Sequence, residues 1–251
     1  MPRVFNDFTD ERLKNGLCIH CETQLANTLC NKDHVPSKTL LKKPYPDDLS
    51  VVIICKECND NFSKDEEYTS AFLSAVLSGS TDPDLQNLKT GQRVFAENKK
   101  LRARIEKSKV EYETLSGQSN LVWRPEFERI ENVVVKNSRG HVYFELGEPI
   151  MEKPDFVSLT PIPSMSESQK ADFFGDLHNS SCWGEVGSVW MNRLGSVWMS
   201  NRLVFDTDWD EYGFLEVQPN VYCFQINTGS GISVKTVLHN YLATEVIWSG
   251  G

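Results

Sequence analysis

Between Cys18-Ile-His-Cys21 and Cys55-Lys-Glu-Cys58-Asn59 the chain carries Asp33-His34-Val35-Pro36. Each Cys-x-x-Cys turn lets two sulfurs face one ion, and zinc takes four thiolates tetrahedrally at about 2.3 Å. Cys18, Cys21, Cys55 and Cys58 are therefore the expected ligands of one structural Zn²⁺. His20 and Cys30 are substitute ligands that rank lower, because neither has a partner at knuckle spacing. A single Cys-x-x-Cys is often accidental or a redox pair. Two pairs with no βαβ pattern around either argue for metal. The loop from Cys21 to Cys55 is longer than a simple zinc ribbon needs, which leaves room for a functional segment.

That segment has the residue types of a hydrolytic site. A neutral imidazole at His34 can take a proton from water, and its ordinary pKa of about 6.5 suits work near neutrality. A hard divalent ion prefers oxygen donors and keeps several waters, which suits the Asp33 carboxylate and the Asn59 amide oxygen. Soft thiolates are poor ligands for such an ion, so the cysteines are structural. Taken alone, Asp33-His34 reads more readily as a solvated loop pair than as a site. The four-cysteine frame, Pro36 and Asn59 weigh against that.

Cys-x-x-Cys, then Asp-His-Val-Pro, then Cys-x-x-Cys-Asn resembles the HNH endonuclease family of the ββα-metal superfold, over roughly residues 15 to 75. The resemblance implies that Asp33-His34 ends the first strand of a hairpin. It also implies that a helix after the second knuckle returns a ligand, here Asn59 in place of the family's final His, to a catalytic Mg²⁺ or Mn²⁺. The middle Asn of the family pattern is missing; Asp47, Asp48 and Ser50 stand before Cys55 instead. Ser63-Lys-Asp-Glu-Glu-Tyr68 is similar to a stretch in uncharacterised bacterial HNH proteins. By the same resemblance the expected activity is cleavage of phosphodiester bonds in DNA or RNA, in bacterial anti-phage defence and with a partner such as an ATPase. Thr228-Gly-Ser-Gly231 lacks the Lys and the spacing of a phosphate-binding loop, so no nucleotide site is expected in the chain itself. The alternative is a zinc-held module that binds nucleic acid or recruits a partner without turnover.

The chain has 251 residues, is 39% apolar, and carries a net charge of −9. Length and apolar content support ordinary buried cores. The acidic balance counts against an extended nucleic-acid footprint. The charge is uneven: Lys89 to Lys109 has a local balance of +6. Lys99, Lys100, Arg102, Arg104, Lys107 and Lys109 are accordingly candidates for phosphate contact, with a solvated helix face as the plain alternative. No apolar stretch accompanies Arg3, Asp7, Asp10, Glu11 and Arg12, and no run is long enough to span a bilayer. A cytoplasmic protein without membrane contact is expected.

The expected fold class is α+β: an N-terminal zinc-stapled ββα-metal module over residues 1–80, a connecting basic helix over 81–116 and a mixed α+β domain over 117–251. Thr9 or Asp10 is positioned to cap a short helix ended by Gly16. Leu49 to Ile54 reads as a strand, and Ser63 to Leu77 and Asp84 to Leu115 as helices, the latter weakened at Gly91. Asn132–Lys136 with His141–Leu146, and Val221–Ile226 with Ile232–Val237, read as hairpins, and Pro149 to Pro163 as a loop. Val237, Leu238, Tyr241, Leu242 and Val246 have helical spacing. Gly187–Leu194 is repeated at once as Gly195–Leu203, a local duplication in a loop or strand, or a stacking surface through Trp190 and Trp198.

Overall fold

A computed structural model describes residues 16–47, 49–113, 119–174, 213–229 and 231–249. The expected helix before Gly16 and the Gly187–Leu203 repeat, with Trp190 and Trp198, lie outside the described residues. The chain is a mixed α+β protein that divides into two compact units, residues 1–59 with 134–251, and residues 60–133.

The first unit opens with an antiparallel hairpin of β1 (Cys30–Val35) and β2 (Ser50–Cys55), followed directly by helix α1 (Lys56–Ser78). α1 starts seven residues before the expected Ser63. The Cys58 N–H donates to Cys55 Sγ at 3.4 Å in the manner of an N-cap, which lets the helix begin at the knuckle itself. Along the hairpin, Val35, Val52 and Ile54 are buried with Cys18, Ile19, Leu25 and Cys55 in one apolar cluster. Lys32 and Ile53 are exposed cross-strand partners. This is the period-two alternation of a hairpin with one covered face.

The covering element is the part of helix α4 (Phe127–Leu146) from residue 134 onward, where a hairpin turning at Asn137–Gly140 was expected. Val133, Lys136, Asn137, Gly140 and His141 are all buried, so the helix has no single apolar stripe, and its Val133-Val-Val135 run imitates a strand. Gly140 imitates a turn but serves close approach. A Cβ there would lie 2.6 Å from Val35 Cγ2.

This unit also holds a five-stranded antiparallel sheet in the order β5-β9-β8-β7-β6. Its strands are β5 (Phe156–Pro161), β6 (Leu215–Gln218), β7 (Tyr222–Asn227), β8 (Gly231–Leu238) and β9 (Leu242–Ser249). The expected hairpin of Val221–Ile226 with Ile232–Val237 is β7–β8. Two other expectations are corrected. Part of the Pro149–Pro163 loop is edge strand β5, a position that tolerates Pro161. The helical spacing from Val237 to Val246 is a hairpin, because His239 and Asn240 both take positive φ (53° and 51°) and the Tyr241 N–H donates to Leu238 O at 2.9 Å. That closes a type I′ turn, which matches strand twist. His141 of α4 stacks on Phe224 of β7 at 3.8 Å between centroids, and its Nε2 lies 3.0 Å from Tyr222 Oη. α4 is thereby fixed to the sheet as well as to the hairpin.

The second unit holds most of α1, helices α2 (Lys89–Glu97) and α3 (Lys99–Glu106), and a hairpin of β3 (Lys109–Glu113) with β4 (Ser119–Trp123). The single helix expected over Asp84–Leu115 is thus two helices and a strand. Asn98 makes the break: its side chain accepts from the Leu101 N–H at 3.0 Å and caps α3. α5 (Glu167–Phe174), in the first unit, completes the helices among the described residues. None of them is long and apolar enough to cross a membrane.

Candidate metal centre and the Asp33-His34 site

The first cysteine pair lies in a tight turn flanked by a Leu17–Gln24 bridge. The Cys18 N–H donates to Thr23 O at 2.8 Å and the Glu22 N–H to Cys18 O at 3.0 Å, with Glu22 at φ +61°. The second pair spans the strand-to-helix junction, Cys55 ending β2 and Cys58 in the first turn of α1. All four sulfurs lie within 4.8 Å of one another, and Cys21 Sγ is 3.6 Å from Cys55 Sγ. Tetrahedral Zn–S legs of about 2.3 Å would set sulfurs about 3.8 Å apart. The cluster therefore has the size to hold a metal ion such as zinc. The Cys55 N–H also points to Cys18 Sγ at 3.5 Å, a contact that favours thiolate.

Burial raises the Cys18 thiol, and burial with the neighbouring sulfurs raises Cys58. At Cys21, burial pushes upward, but hydrogen bonds from Thr23 and the other sulfurs prevail and bring it down to about 7. A bound divalent cation would favour thiolate at all four positions. Cys30 stands apart: its thiol donates to Thr28 O at 3.1 Å and Leu25 O at 3.4 Å. His20 lies between Cys18 and Cys21 in sequence but is not in the cluster. Burial, then the charges of Lys136 and Arg139, lowers its pKa to about 3.

Asp33 and His34 are near the end of β1, opposite Val52 and Val51. Successive residues point to opposite faces. Asp33 shares the covered face with Val35, and His34 lies on the more open side, half-buried. Burial, then the charges of Lys38, Lys136 and Lys32, lowers the His34 pKa, which keeps the imidazole neutral at neutral pH. Asn59 follows Cys58 in the first turn of α1. Of the residues that precede Cys55 in the sequence reading, Ser50 is buried opposite Val35 and Asp47 is exposed; Asp48 lies outside the described residues.

The Asp33 carboxylate is not presented to solvent. Lys136 Nζ, from α4, donates to Asp33 Oδ1 at 2.7 Å and to Ser37 Oγ at 2.9 Å. Asn137 Oδ1 accepts from the Ser37 amide at 2.9 Å and its hydroxyl at 3.1 Å. The loop between β1 and β2 is held as well. Gln218 Oε1 accepts from the Lys42 N–H at 2.8 Å, and Gln218 Nε2 donates to Lys42 O at 2.8 Å and Pro44 O at 3.1 Å. Ser37, Lys136, Asn137 and Gln218 were not among the sequence candidates. A lysine directly after Val133-Val-Val135 was the only signal, and it names no partner.

In the second unit, Lys99, Lys100 and Lys107 are exposed, whereas Leu101 and Ile105 carry the buried stripe of α3. Arg102 and Lys109 are half-buried. Lys109 Nζ lies 3.9 Å from Glu106 and 5.9 Å from the Trp123 ring centre. Arg104 has a structural partner: its Nε is 2.8 Å from Glu126 Oε1, and its guanidinium lies 5.7 Å over Tyr68. Arg129 sits 5.6 Å over Tyr68 and pairs with Asp65 at 3.0 Å and Glu126 at 2.8 Å, while Tyr68 Oη accepts from the Glu126 N–H at 2.7 Å. Asp65 and Tyr68 of the Ser63–Tyr68 stretch thus have structural work within this unit. Compared with protein-family profiles, with curated proteins and with solved structures, the chain gives no match in any of the three.

Proposed function

We propose that β1, β2 and the start of α1 form a zinc-stapled nuclease module of HNH type that hydrolyses phosphodiester bonds of DNA or RNA. The observation that carries this reading is the chain order strand, strand, helix. The four sulfurs gather near the point where the second strand enters the helix, and Asp33-His34 lies near the end of the first strand. The four cysteines would hold Zn²⁺ as a structural staple, apart from the hydrolytic chemistry.

His34 accepts the proton of a water molecule as its oxygen attacks phosphorus, and its lowered pKa keeps it competent as a base at neutral pH. Asp33 and Asn59 are oxygen donors that fit a hard divalent ion by kind. Bound there, Mg²⁺ or Mn²⁺ would supply stabilisation of the negative charge that builds on the phosphate and the leaving oxygen. Lys99, Lys100 and Lys107 are exposed and suited to contact a phosphate backbone.

Divalent-ion-dependent nicking of a plasmid, with single-stranded RNA in parallel, tests the reading. His34→Ala should lose cleavage while keeping zinc content and melting temperature. Wild-type cleavage by His34→Ala at matched pH and metal would overturn the mechanism. A second reading, a zinc-held module that binds nucleic acid without cleaving it, is favoured by the pairing of Asp33 with Lys136. Binding with no cleavage across Mg²⁺, Mn²⁺, Ca²⁺ and Ni²⁺ would select it.

A further inference from the structure

In the site proposed above, Asp33 is the charged protein ligand of the divalent ion, and a second cation already sits on it. The Lys136 side chain is 2% exposed and that of Asp33 is 10% exposed, so water screens the pair little. Lys136 Nζ donates to Asp33 Oδ1 and to Ser37 Oγ, and Ser37 is itself held by Asn137. Gly140 seats α4 against Val35, and His141 stacks on Phe224.

We infer that Lys136 is the resident cation of Asp33 and that a divalent ion enters this site in competition with it. The inference rests on the proposed Asp33 metal site and adds its regulation. An ammonium and a divalent ion on one carboxylate repel each other, and at low dielectric that repulsion is strong. A buried carboxylate also leaves little room for the waters that Mg²⁺ keeps. The site is therefore a weak divalent site as long as Lys136 is charged and in place. Whatever loosens α4 from the hairpin strengthens it.

The test uses the zinc-loaded full chain and Mn²⁺ alone as the probe, followed by calorimetric titration and Mn²⁺ electron paramagnetic resonance below each protein's melting midpoint. Lys136→Met and Lys136→Gln should bind Mn²⁺ at least about tenfold more tightly than wild type. Adding Asp33→Asn should abolish the gain. Lys136→Arg, which keeps the charge, should stay near wild type. Mn²⁺ should also raise the melting temperature of Lys136→Met more than that of wild type. Lys136→Gln keeps a donor for Asp33 and Ser37, so it carries the comparison should the Met variant not fold. Equal Mn²⁺ affinity in the neutral variants and wild type would overturn the inference. So would weaker affinity, which would make Lys136 a residue that positions Asp33 for the ion. Cleavage measured alongside separates this from the nuclease reading. Tighter Mn²⁺ binding with no cleavage would retain the inference and remove the nuclease, and wild-type cleavage with unchanged variant affinity would do the reverse.

Discussion

Lys136 and Asp33 are 103 residues apart in sequence and form an ion pair of 2.7 Å with both side chains withdrawn from water. Breaking one half of such a pair leaves the other charge buried without its partner. Removing both takes the two opposite charges out together. Asp33→Asn and Lys136→Met should each destabilise the chain by about 3–5 kcal/mol, with the double variant costing clearly less than the sum. Urea unfolding of the four proteins checks this, and strict additivity would show that the two groups do not share an interaction.

The four clustered sulfurs should make metal affinity part of the folding free energy of the hairpin. Purified protein should contain about one zinc per chain. Chelation, or Cys58→Ser, should lower the melting temperature, and Cys30→Ser should leave zinc content unchanged because Cys30 lies outside the cluster. Elemental analysis with calorimetry measures both quantities, and zinc-free protein that melts like wild type would remove the frame.

Along α3 and at Lys107 just after it, exposure separates Lys99, Lys100 and Lys107 from Arg104, which has partners in its own unit. Lys99→Gln, Lys100→Gln and Lys107→Gln together should flatten the salt dependence of nucleic-acid binding, since each phosphate contact releases counterions. They should hardly move the melting temperature. Arg104→Gln should do the opposite, because Arg104 is tied to Glu126 and lies over Tyr68. Tyr68→Phe, which takes away the acceptor of the Glu126 N–H, should cost about 1 kcal/mol. Salt-titrated binding isotherms and thermal melts of the same proteins separate the roles; an unchanged salt slope in the triple variant would make these lysines ordinary surface charge.

His239 in the β8–β9 turn predicts a pH dependence of stability. Burial, then the charge of Lys42, lowers its pKa to about 4, against the usual 6.5 when unfolded. The unfolded chain therefore binds a proton that the folded chain refuses between those values. The associated stability is complete above the unfolded pKa and is lost as the pH falls through the window from 6.5 towards 4. At pH 5 the loss should be about 1–2 kcal/mol relative to pH 7.5. His239→Asn, which tolerates the positive φ at this position, should flatten that part of the curve. Equal slopes for the two proteins in urea melts at pH 5 and 7.5 would refute the assignment.

How much was legible from sequence follows from the range of each interaction. The two cysteine pairs and the Leu49–Ile54 strand signal depend on local spacing and propensity, and the sulfurs do gather into one cluster. The β7–β8 hairpin was legible for the same reason. Local signals failed where burial was set by distant chain. Val133–Val135 and Gly140 read as strand and turn, yet they belong to a helix that is covered along much of its surface, and Gly140 is there because Val35 is. Val237 to Val246 matched a helical period, but a turn with two positive φ values reversed the chain at His239-Asn240.

The sequence by itself determined the chemistry available to the site: four soft sulfurs, a carboxylate beside an imidazole, and an amide oxygen after the last cysteine. Tertiary structure alone decided the electrostatic state of that chemistry. It set Lys136 on Asp33, Asn137 on Ser37 and Gln218 on the loop between β1 and β2. The physical reason is that propensity and metal-knuckle spacing act over a few residues. A buried charge, by contrast, takes its partner from whatever element covers it, here a helix about a hundred residues downstream.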